Sequence, residues 1–214
     1  MAAIKIYGVP PSTFTRVVRL ACHEKGIDYE LVPTFPGTVE PINPFRKIPA
    51  MSHGELTIYE SSAIVRYLDR VFPGPKLWPD DARQAAVVDQ WVGAVCDSVL
   101  NSAQRYFASR FNFLPVPQEM TGKYLDKTRE VVPVFDRQLA KTRFLAGDAV
   151  TAADFFFLPP FCYFDDVPEM KAIADQAPNC RRWLGEMAMR PSVVATVPPA
   201  EMKPKLANGA RDPI

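Results

Sequence analysis

Residues 4–32 have the sequence IKIYGVPPSTFTRVVRLACHEKGIDYELV. Hydrophobic side chains alternate at its start, as in a β-strand, and the Gly-Val-Pro-Pro run ends that strand. Ser12 or Thr13 then begins a helix with one apolar face, and Gly26 is suited to the left-handed conformation that ends it. A second short strand follows at residues 29–32. A strand, a helix and a strand within about 30 residues predict a βαβ unit with two parallel strands.

The residues after this unit complete a small mixed sheet. A hairpin is predicted over residues 50–58, because a His-Gly turn signal lies between two short apolar runs. A helix with one apolar stripe is expected over residues 60–71. Residues 72–79 contain three prolines and a glycine, which cannot continue a helix. We therefore predict a first domain over residues 1–75 and a linker over residues 76–84.

The pattern changes after the linker, where no segment alternates convincingly. Four segments with the helical period are predicted as helices: residues 81–110, 118–141, 151–164 and 178–189. Pro133 is expected to kink the second of them, and a polar tail begins at Pro198. The predicted fold class is an α/β domain followed by an all-helical domain over residues 85–214.

Composition excludes several classes of protein. The 214 residues are 48% hydrophobic and 23% charged, which is ordinary for a globular protein. Lys and Arg (25) nearly balance Asp and Glu (24), so there is no basic excess to hold a nucleic acid backbone. Four cysteines without a CxxC motif and two histidines outside any ligand pattern predict that no metal is bound. Without a signal peptide or an apolar run of about 18 residues, we expect a cytoplasmic protein with reduced cysteines and no membrane partner.

Two motifs place polar groups at the start of a helix. Ser12 stands where unpaired N–H groups and a positive partial charge favour an anion such as a thiolate. On spacing alone, a simple helix cap is the commoner role for such a serine. The pair Glu60-Ser61 opens the next helix, where it can bind a carboxylate and an ammonium group or serve only as a solvated cap.

Two further motifs lie outside those helix starts. Residues 43–50 read NPFRKIPA, and a cis Pro49 would leave the backbone of Ile48 open to pair with an extended peptide, although a trans proline is commoner. Thr151 with Asp154 three residues later has the spacing of a capping box, which we assign to folding.

Together, in this order and spacing, the motifs resemble the soluble glutathione S-transferases over nearly the whole chain. The similarity is greatest to the serine-type phi class and related bacterial classes. It rests on the segments PPSTFTRVV, NPFRKIP, YESSAI and GDAVTAAD. The resemblance implies a thioredoxin-like N-terminal domain, a helical-bundle C-terminal domain and a cytoplasmic homodimer. It also implies an enzyme that adds the sulfur of glutathione, a co-substrate rather than a cofactor, to small apolar electrophiles.

The resemblance implies roles for individual residues as well. Ser12 matches the catalytic hydroxyl, which donates a hydrogen bond to the sulfur and is not a nucleophile. The positions implied to bind glutathione are Lys47, Ile48, Pro49, Glu60 and Ser61. Thr151 and Asp154 match the family's folding cap, and Phe45 is placed by analogy in the dimer interface.

The second substrate is expected to bind against aromatic residues of the helical domain. The predicted pocket residues are Tyr106, Arg110, Phe111 and Phe164. An aromatic cleft suits a planar, apolar electrophile, while aromatic residues at helical spacing are at least as often part of the core.

Alternatives remain at two points of this assignment. Tyr7 or Thr13 could supply the activating hydroxyl in place of Ser12, whereas Cys22 lies too late in the first helix to do so. Residues 33–42 contain no Lys, Arg or His, although phi-class relatives carry basic residues there for the glycine carboxylate. Either Lys47 substitutes, or glutathione binds more weakly, or the ligand differs.

The alternative function is a binding or regulatory protein with this fold and without significant turnover.

Overall fold

A computed structural model of the protein describes residues 3–113 and 115–206. The strands are β1 (Ile4–Gly8), β2 (Tyr29–Pro33), β3 (Ala50–His53) and β4 (Leu56–Tyr59). The helices are α1 (Thr13–Lys25), α2 (Ser61–Val71), α3 (Ala82–Ala94), a π-helical segment (Val95–Gln104), α4 (Arg105–Phe111), α5 (Gln118–Leu139), α6 (Ala152–Cys162), α7 (Pro168–Asp175), α8 (Pro178–Ala188) and α9 (Pro191–Ala195). Short 3-10 turns cover Tyr163–Asp166 and Ala200–Met202. None of the described helices is both long and apolar enough to cross a bilayer.

The described chain divides into two compact units. The first unit contains residues 3–85 and 188–203, and the second contains residues 86–187 and 204–206. The sequence predicts that all of residues 85–214 belong to the helical domain. The structure corrects this division, since residues 188–203 pack with the first unit. The end of the predicted polar tail, residues 207–214, lies outside the described residues.

The sheet of the first unit has the strand order β2-β1-β3-β4. Strand β1 is parallel to β2 and antiparallel to β3, and β3 and β4 form an antiparallel hairpin. Gly26 ends α1 with φ 62° and ψ 35°, in the left-handed region. The predicted βαβ unit, hairpin and helix end are therefore confirmed.

Apolar side chains of β1, β3, α1 and α2 form the core of the first unit. Ile6, Val17, Leu20, Met51 and Leu68 each have no exposed surface. Alternation along β1 explains the arrangement, because Ile4 and Ile6 are buried while Lys5 between them is exposed.

A buried ion pair attaches the predicted linker to this unit. Lys25 Nζ lies 3.1 Å from Asp69 Oδ1 and donates to the carbonyl of Pro75 at 3.0 Å. The Asp69 carboxylate also accepts from the backbone N–H groups of Leu77 at 2.9 Å and Trp78 at 3.1 Å. The Lys25 and Asp69 side chains are only 0% and 4% exposed. The chain after α2 is thus held against the C-terminal ends of α1 and α2.

Charged residues of α1 also hold the C-terminal segment. Glu24 accepts from Arg190 Nε at 2.9 Å and Nη2 at 2.6 Å, and from Ser192 Oγ at 2.5 Å. The buried Arg16 donates to the carbonyl of Val193 at 3.3 Å and to Thr196 Oγ1 at 3.4 Å. These contacts explain why residues 188–203 pack with the first unit, although the predicted polar tail begins within them, at Pro198.

The second unit is helical, with two differences from the prediction. The predicted helix over residues 81–110 is α3, the π-helical segment and α4 in succession, and the sequence pattern does not predict the π-helical geometry. The sequence pattern does not predict the short helices α7 and α9 either. A signal was present in both, since each begins with a proline in its first turn, where the missing N–H is not needed.

The capping box that opens α6 is confirmed. The Asp154 carboxylate accepts from the backbone N–H groups of Leu145 and Thr151, both at 3.0 Å, and from Trp183 Nε1 at 2.9 Å. Asp154 is completely buried, and this burial raises the pKa of its carboxyl while the hydrogen bonds oppose the increase. Beside it, Phe157 stacks on Phe135 with ring centroids 4.4 Å apart.

Candidate active site

Ser12 lies in the turn between β1 and α1. It is the N-cap of α1, with φ −67° and ψ 122°, and its Oγ accepts from the backbone N–H of Thr15 at 3.3 Å. The side chain is half-buried. Within the described residues, its hydroxyl donates no hydrogen bond. Ser12 can therefore cap the helix through its oxygen and still donate to a ligand.

The two competing hydroxyls are less suitable. Tyr7 Oη pairs with Ser52 Oγ at 3.3 Å across β1 and β3, so the phenol already has a partner. Thr13 is only 6% exposed. Neither hydroxyl combines partial exposure, an available proton and the capping position as Ser12 does.

The segment around Pro49 has the geometry that the resemblance implied. The Ile48–Pro49 peptide bond is cis. No hydrogen bond joins the Ile48 backbone to any other residue that the structure describes. Asn43, which sequence reasoning missed, donates from Nδ2 to the carbonyl of Lys47 at 2.7 Å and accepts from the N–H of Phe45 at 3.0 Å. The buried Asn43 thereby fixes the loop that leads to Ile48.

Glu60 has a backbone conformation that side-chain-bearing residues rarely adopt. Its φ is 67° and its ψ 114°, and it precedes α2 without making a side-chain cap. Conformations of this kind cost of order 1–3 kcal/mol and concentrate at functional sites. The Glu60 side chain is exposed, while Ser61 is 8% exposed at the first position of α2. A carboxylate and a helix N-terminus are thus presented side by side.

Residues 33–42 contain no lysine or arginine, but the loop that follows them supplies two basic residues, Arg46 and Lys47. The carbonyl of Arg46 accepts from the N–H of Gly37 at 3.0 Å, and Arg46 Nε lies 3.7 Å from Glu40 Oε2. Lys47 is exposed and forms no ion pair with any residue in the described parts of the chain. Its ammonium group is available to an anionic ligand.

The predicted pocket residues of the helical domain lie mostly in the interior. Tyr106 is 0% exposed, Phe164 1% and Arg110 8%, while Phe111 is half-buried. Arg110 Nη2 pairs with Glu169 Oε1 at 3.3 Å, and burial raises the pKa of the Tyr106 hydroxyl. The prediction of an open aromatic pocket is therefore wrong for three of these four residues, because Tyr106, Arg110 and Phe164 are buried in the interior of the second unit. In a helical unit without a sheet, aromatic side chains at helical spacing supply the core.

Cys22 and Cys180 do not compete with Ser12 for the role of the activating group. All four are thiols, and Cys22 and Cys180 are completely buried. Burial raises the pKa of each of these two thiols to about 12. At neutral pH both stay protonated and unreactive.

Comparison with known proteins gives consistent matches for both units. The family model for the N-terminal domain of glutathione S-transferases matches residues 6–76, and the model for the C-terminal domain matches residues 85–186. Glutathione S-transferase 1 of Triticum aestivum is 30% identical over an alignment that covers 90% of this chain and 93% of that one.

Solved structures agree with these matches. Poplar glutathione transferase F1 superposes with a TM-score of 0.83 and 28% identity, over 92% of this chain and 97% of that one. A glutathione S-transferase I bound with lactoylglutathione gives a TM-score of 0.80 and 27% identity, over 92% and 99%. The likeness confirms the predicted fold class, a thioredoxin-like domain followed by a helical one.

Proposed function

Since this chain belongs to the glutathione S-transferase family, we propose that it conjugates the thiolate of glutathione to small apolar electrophiles, with Ser12 stabilising the thiolate. The observation that carries the proposal is the Ser12 hydroxyl. It is half-buried at the N-terminus of α1, its oxygen is held by the Thr15 N–H, and its proton is available. The sulfur forms a bond to the electrophilic carbon, and the leaving group departs with its electron pair.

A single hydroxyl at a helix N-terminus can supply the free energy needed to lower the pKa of the glutathione thiol. A free thiol has a pKa of about 8.5, and lowering it by about two units takes ~2.7 kcal/mol in favour of the anion. A hydrogen bond to a charged group supplies about 1.5–3 kcal/mol. The helix N-terminus adds about 0.3–1 kcal/mol. Ser12 and α1 are therefore sufficient without a histidine base.

The other site residues can hold the tripeptide in an extended form. Ile48, with its unpaired backbone next to Pro49, suits the cysteinyl part. The Glu60 carboxylate suits the ammonium group, and Ser61 at the start of α2 suits the carboxylate of the γ-glutamyl end. We assign the glycine carboxylate to Lys47. The sequence expectations of a cytoplasmic location and a homodimer, with the exposed Phe45 ring in the interface, stay part of this proposal.

Replacing Ser12 with alanine tests the mechanism. We expect kcat/KM to fall by about 10- to 150-fold, which corresponds to the loss of one hydrogen bond to an anion. The pKa of enzyme-bound glutathione, followed by thiolate absorbance, should rise towards that of the free thiol. Turnover is measured with an activated aryl halide.

Two variants at the same position separate catalysis from capping. Ser12→Thr keeps both the cap and the proton and should retain most activity. Ser12→Asp caps α1 well but has no proton to donate, so stability should survive while activity is lost. An unchanged thiol pKa in Ser12→Ala would show that another group activates the sulfur.

The assignment of Lys47 gives a separate prediction. Lys47→Ala should raise the KM for glutathione about two- to fivefold, because an exposed ion pair between Lys47 and the glycine carboxylate adds little binding free energy. The kcat should stay unchanged, because this pair is equally strong in the ground state and the transition state. Arg46→Ala is the matched control, since its guanidinium already faces Glu40. A larger increase in KM for Arg46→Ala than for Lys47→Ala would transfer the role to Arg46.

The basic-free segment of residues 33–42 favours one alternative, a binding or regulatory protein with this fold and without significant turnover. Capture on immobilised glutathione, followed by the conjugation assay, distinguishes the two functions. Capture with turnover supports the transferase. Capture without turnover of any activated halide supports the alternative, and failure to bind millimolar glutathione contradicts the transferase and favours the alternative.

A further inference from the structure

Gly8, the last residue of β1, is in unusually close contact with α1. A Cβ atom added to Gly8 would lie 2.3 Å from Thr15 Oγ1, 2.8 Å from Thr15 Cγ2 and 3.1 Å from Thr15 Cβ. A Cβ atom does not approach other heavy atoms to 2.3 or 2.8 Å unless one partner is displaced, whereas the contact at 3.1 Å needs a shift of only a few tenths of an ångström. The backbone of Gly8 is not in the left-handed region. Glycine is required here because there is no room for a side chain, and not because of the backbone conformation.

The Thr15 side chain occupies the position that a Cβ at residue 8 would need. It has no exposed surface, and its Oγ1 has no hydrogen-bond partner among the residues that the structure describes. A buried hydroxyl without a partner is less favourable than a methyl group of the same shape. The contact between Thr15 and Gly8 is therefore a van der Waals contact between the branched Thr15 side chain and the Gly8 backbone, and it includes no hydrogen bond from the Thr15 hydroxyl.

The same residue connects to the catalytic hydroxyl. The backbone N–H of Thr15 donates to Ser12 Oγ at 3.3 Å. On the other side, Gly8 is fixed in the sheet, where its register partner is Pro33 and its carbonyl accepts from the N–H of Thr34 at 3.2 Å. A continuous set of contacts thus leads from the sheet, through Gly8 and Thr15, to Ser12.

We propose that Gly8 and Thr15 are positioning residues, whose close contact sets the distance between β1 and the first turn of α1 and so fixes Ser12 against the sulfur of glutathione. The inference rests on the proposed role of Ser12. It predicts that a side chain at residue 8 moves the hydroxyl without removing it. A hydrogen bond to a thiolate depends steeply on its geometry, so such a shift weakens the stabilisation of the anion.

Gly8→Ala is the first test. We expect kcat/KM to fall by at least about tenfold, since misplacing a catalytic group by about 1 Å can cost about 10²-fold. The pKa of bound glutathione should rise by about one unit. Loss of stability alone would not shift this pKa in the fraction of the protein that stays folded.

A second substitution decides whether the contact is responsible. Thr15→Ala removes the two atoms closest to residue 8, so Gly8→Ala/Thr15→Ala should fold and match Thr15→Ala in both kcat/KM and thiol pKa. Thr15→Val keeps the shape without the hydroxyl and should stay within about twofold of the wild type. This comparison holds even if Gly8→Ala alone does not fold.

The outcomes separate this inference from the proposed function. Full activity in Gly8→Ala, a double variant that stays well below Thr15→Ala, or loss of activity in Thr15→Val would each overturn it. If Ser12→Ala shifts the thiol pKa while Gly8→Ala does not, only the positioning role fails. If Ser12→Ala shifts nothing, the proposed role of Ser12 itself fails.

Discussion

Asp154→Ala should lower the free energy of unfolding by about 3–9 kcal/mol, because three buried N–H donors lose their acceptor at about 1–3 kcal/mol each. The donors are the N–H groups of Leu145 and Thr151 and the indole of Trp183. A loss of this size is a large share of the roughly 5–15 kcal/mol that stabilises a typical protein. Urea unfolding followed by tryptophan fluorescence measures it.

The control for this substitution is Asp148→Ala. Asp148 is an exposed residue in the loop before α6, so its replacement should change the stability by no more than about 0.5 kcal/mol. Asp154→Asn keeps one oxygen acceptor and should fall between the wild type and Asp154→Ala. If Asp154→Ala proved as stable as Asp148→Ala, the hydrogen bonds of the capping box would not be stabilising the second unit.

Lys25→Met should cost about 3–5 kcal/mol, since it leaves the carboxylate of Asp69 buried without its counter-charge. The backbone N–H groups of Leu77 and Trp78 still donate to that carboxylate but cannot neutralise it. Thermal or urea unfolding measures the loss. Lys25→Met/Asp69→Leu should recover part of it, because the double variant carries no buried charge.

The exposed ion pair between Lys5 and Glu30 provides the matched control. Its atoms are 3.3 Å apart, with side chains 46% and 58% exposed. Lys5→Met should cost no more than about 1 kcal/mol, because water screens the pair. An equal cost for Lys25→Met and Lys5→Met would rule out a special contribution of the buried pair.

Local patterns predicted the parts of the fold that local physics determines. The βαβ unit follows from alternation in β1, from the apolar stripe of α1 and from Gly26, which has the left-handed conformation that a glycine adopts at no cost. The capping box follows from Thr151 and Asp154 in the same way. Each of these features depends on residues only a few positions apart.

Features that depend on distant residues could not be predicted in this way. Tyr106 and Phe164 look like pocket residues in the sequence, and only the packing of the whole unit shows that they are covered. Apolar spacing does not distinguish the π-helical segment, Val95–Gln104, from an ordinary helix. Asn43 gives no signal of its own, since its role depends on how the loop folds back on Lys47.

The docking of residues 188–203 onto α1 has a consequence for synthesis on the ribosome. The strands and helices that surround Ser12 emerge first, but Arg16 and Glu24 meet their partners only after the whole helical unit has been translated. Until then, this early part of the protein carries an uncovered helix face and lacks α9. Nascent chains released before residue 188 should therefore be digested by protease more readily in α1 than the finished protein.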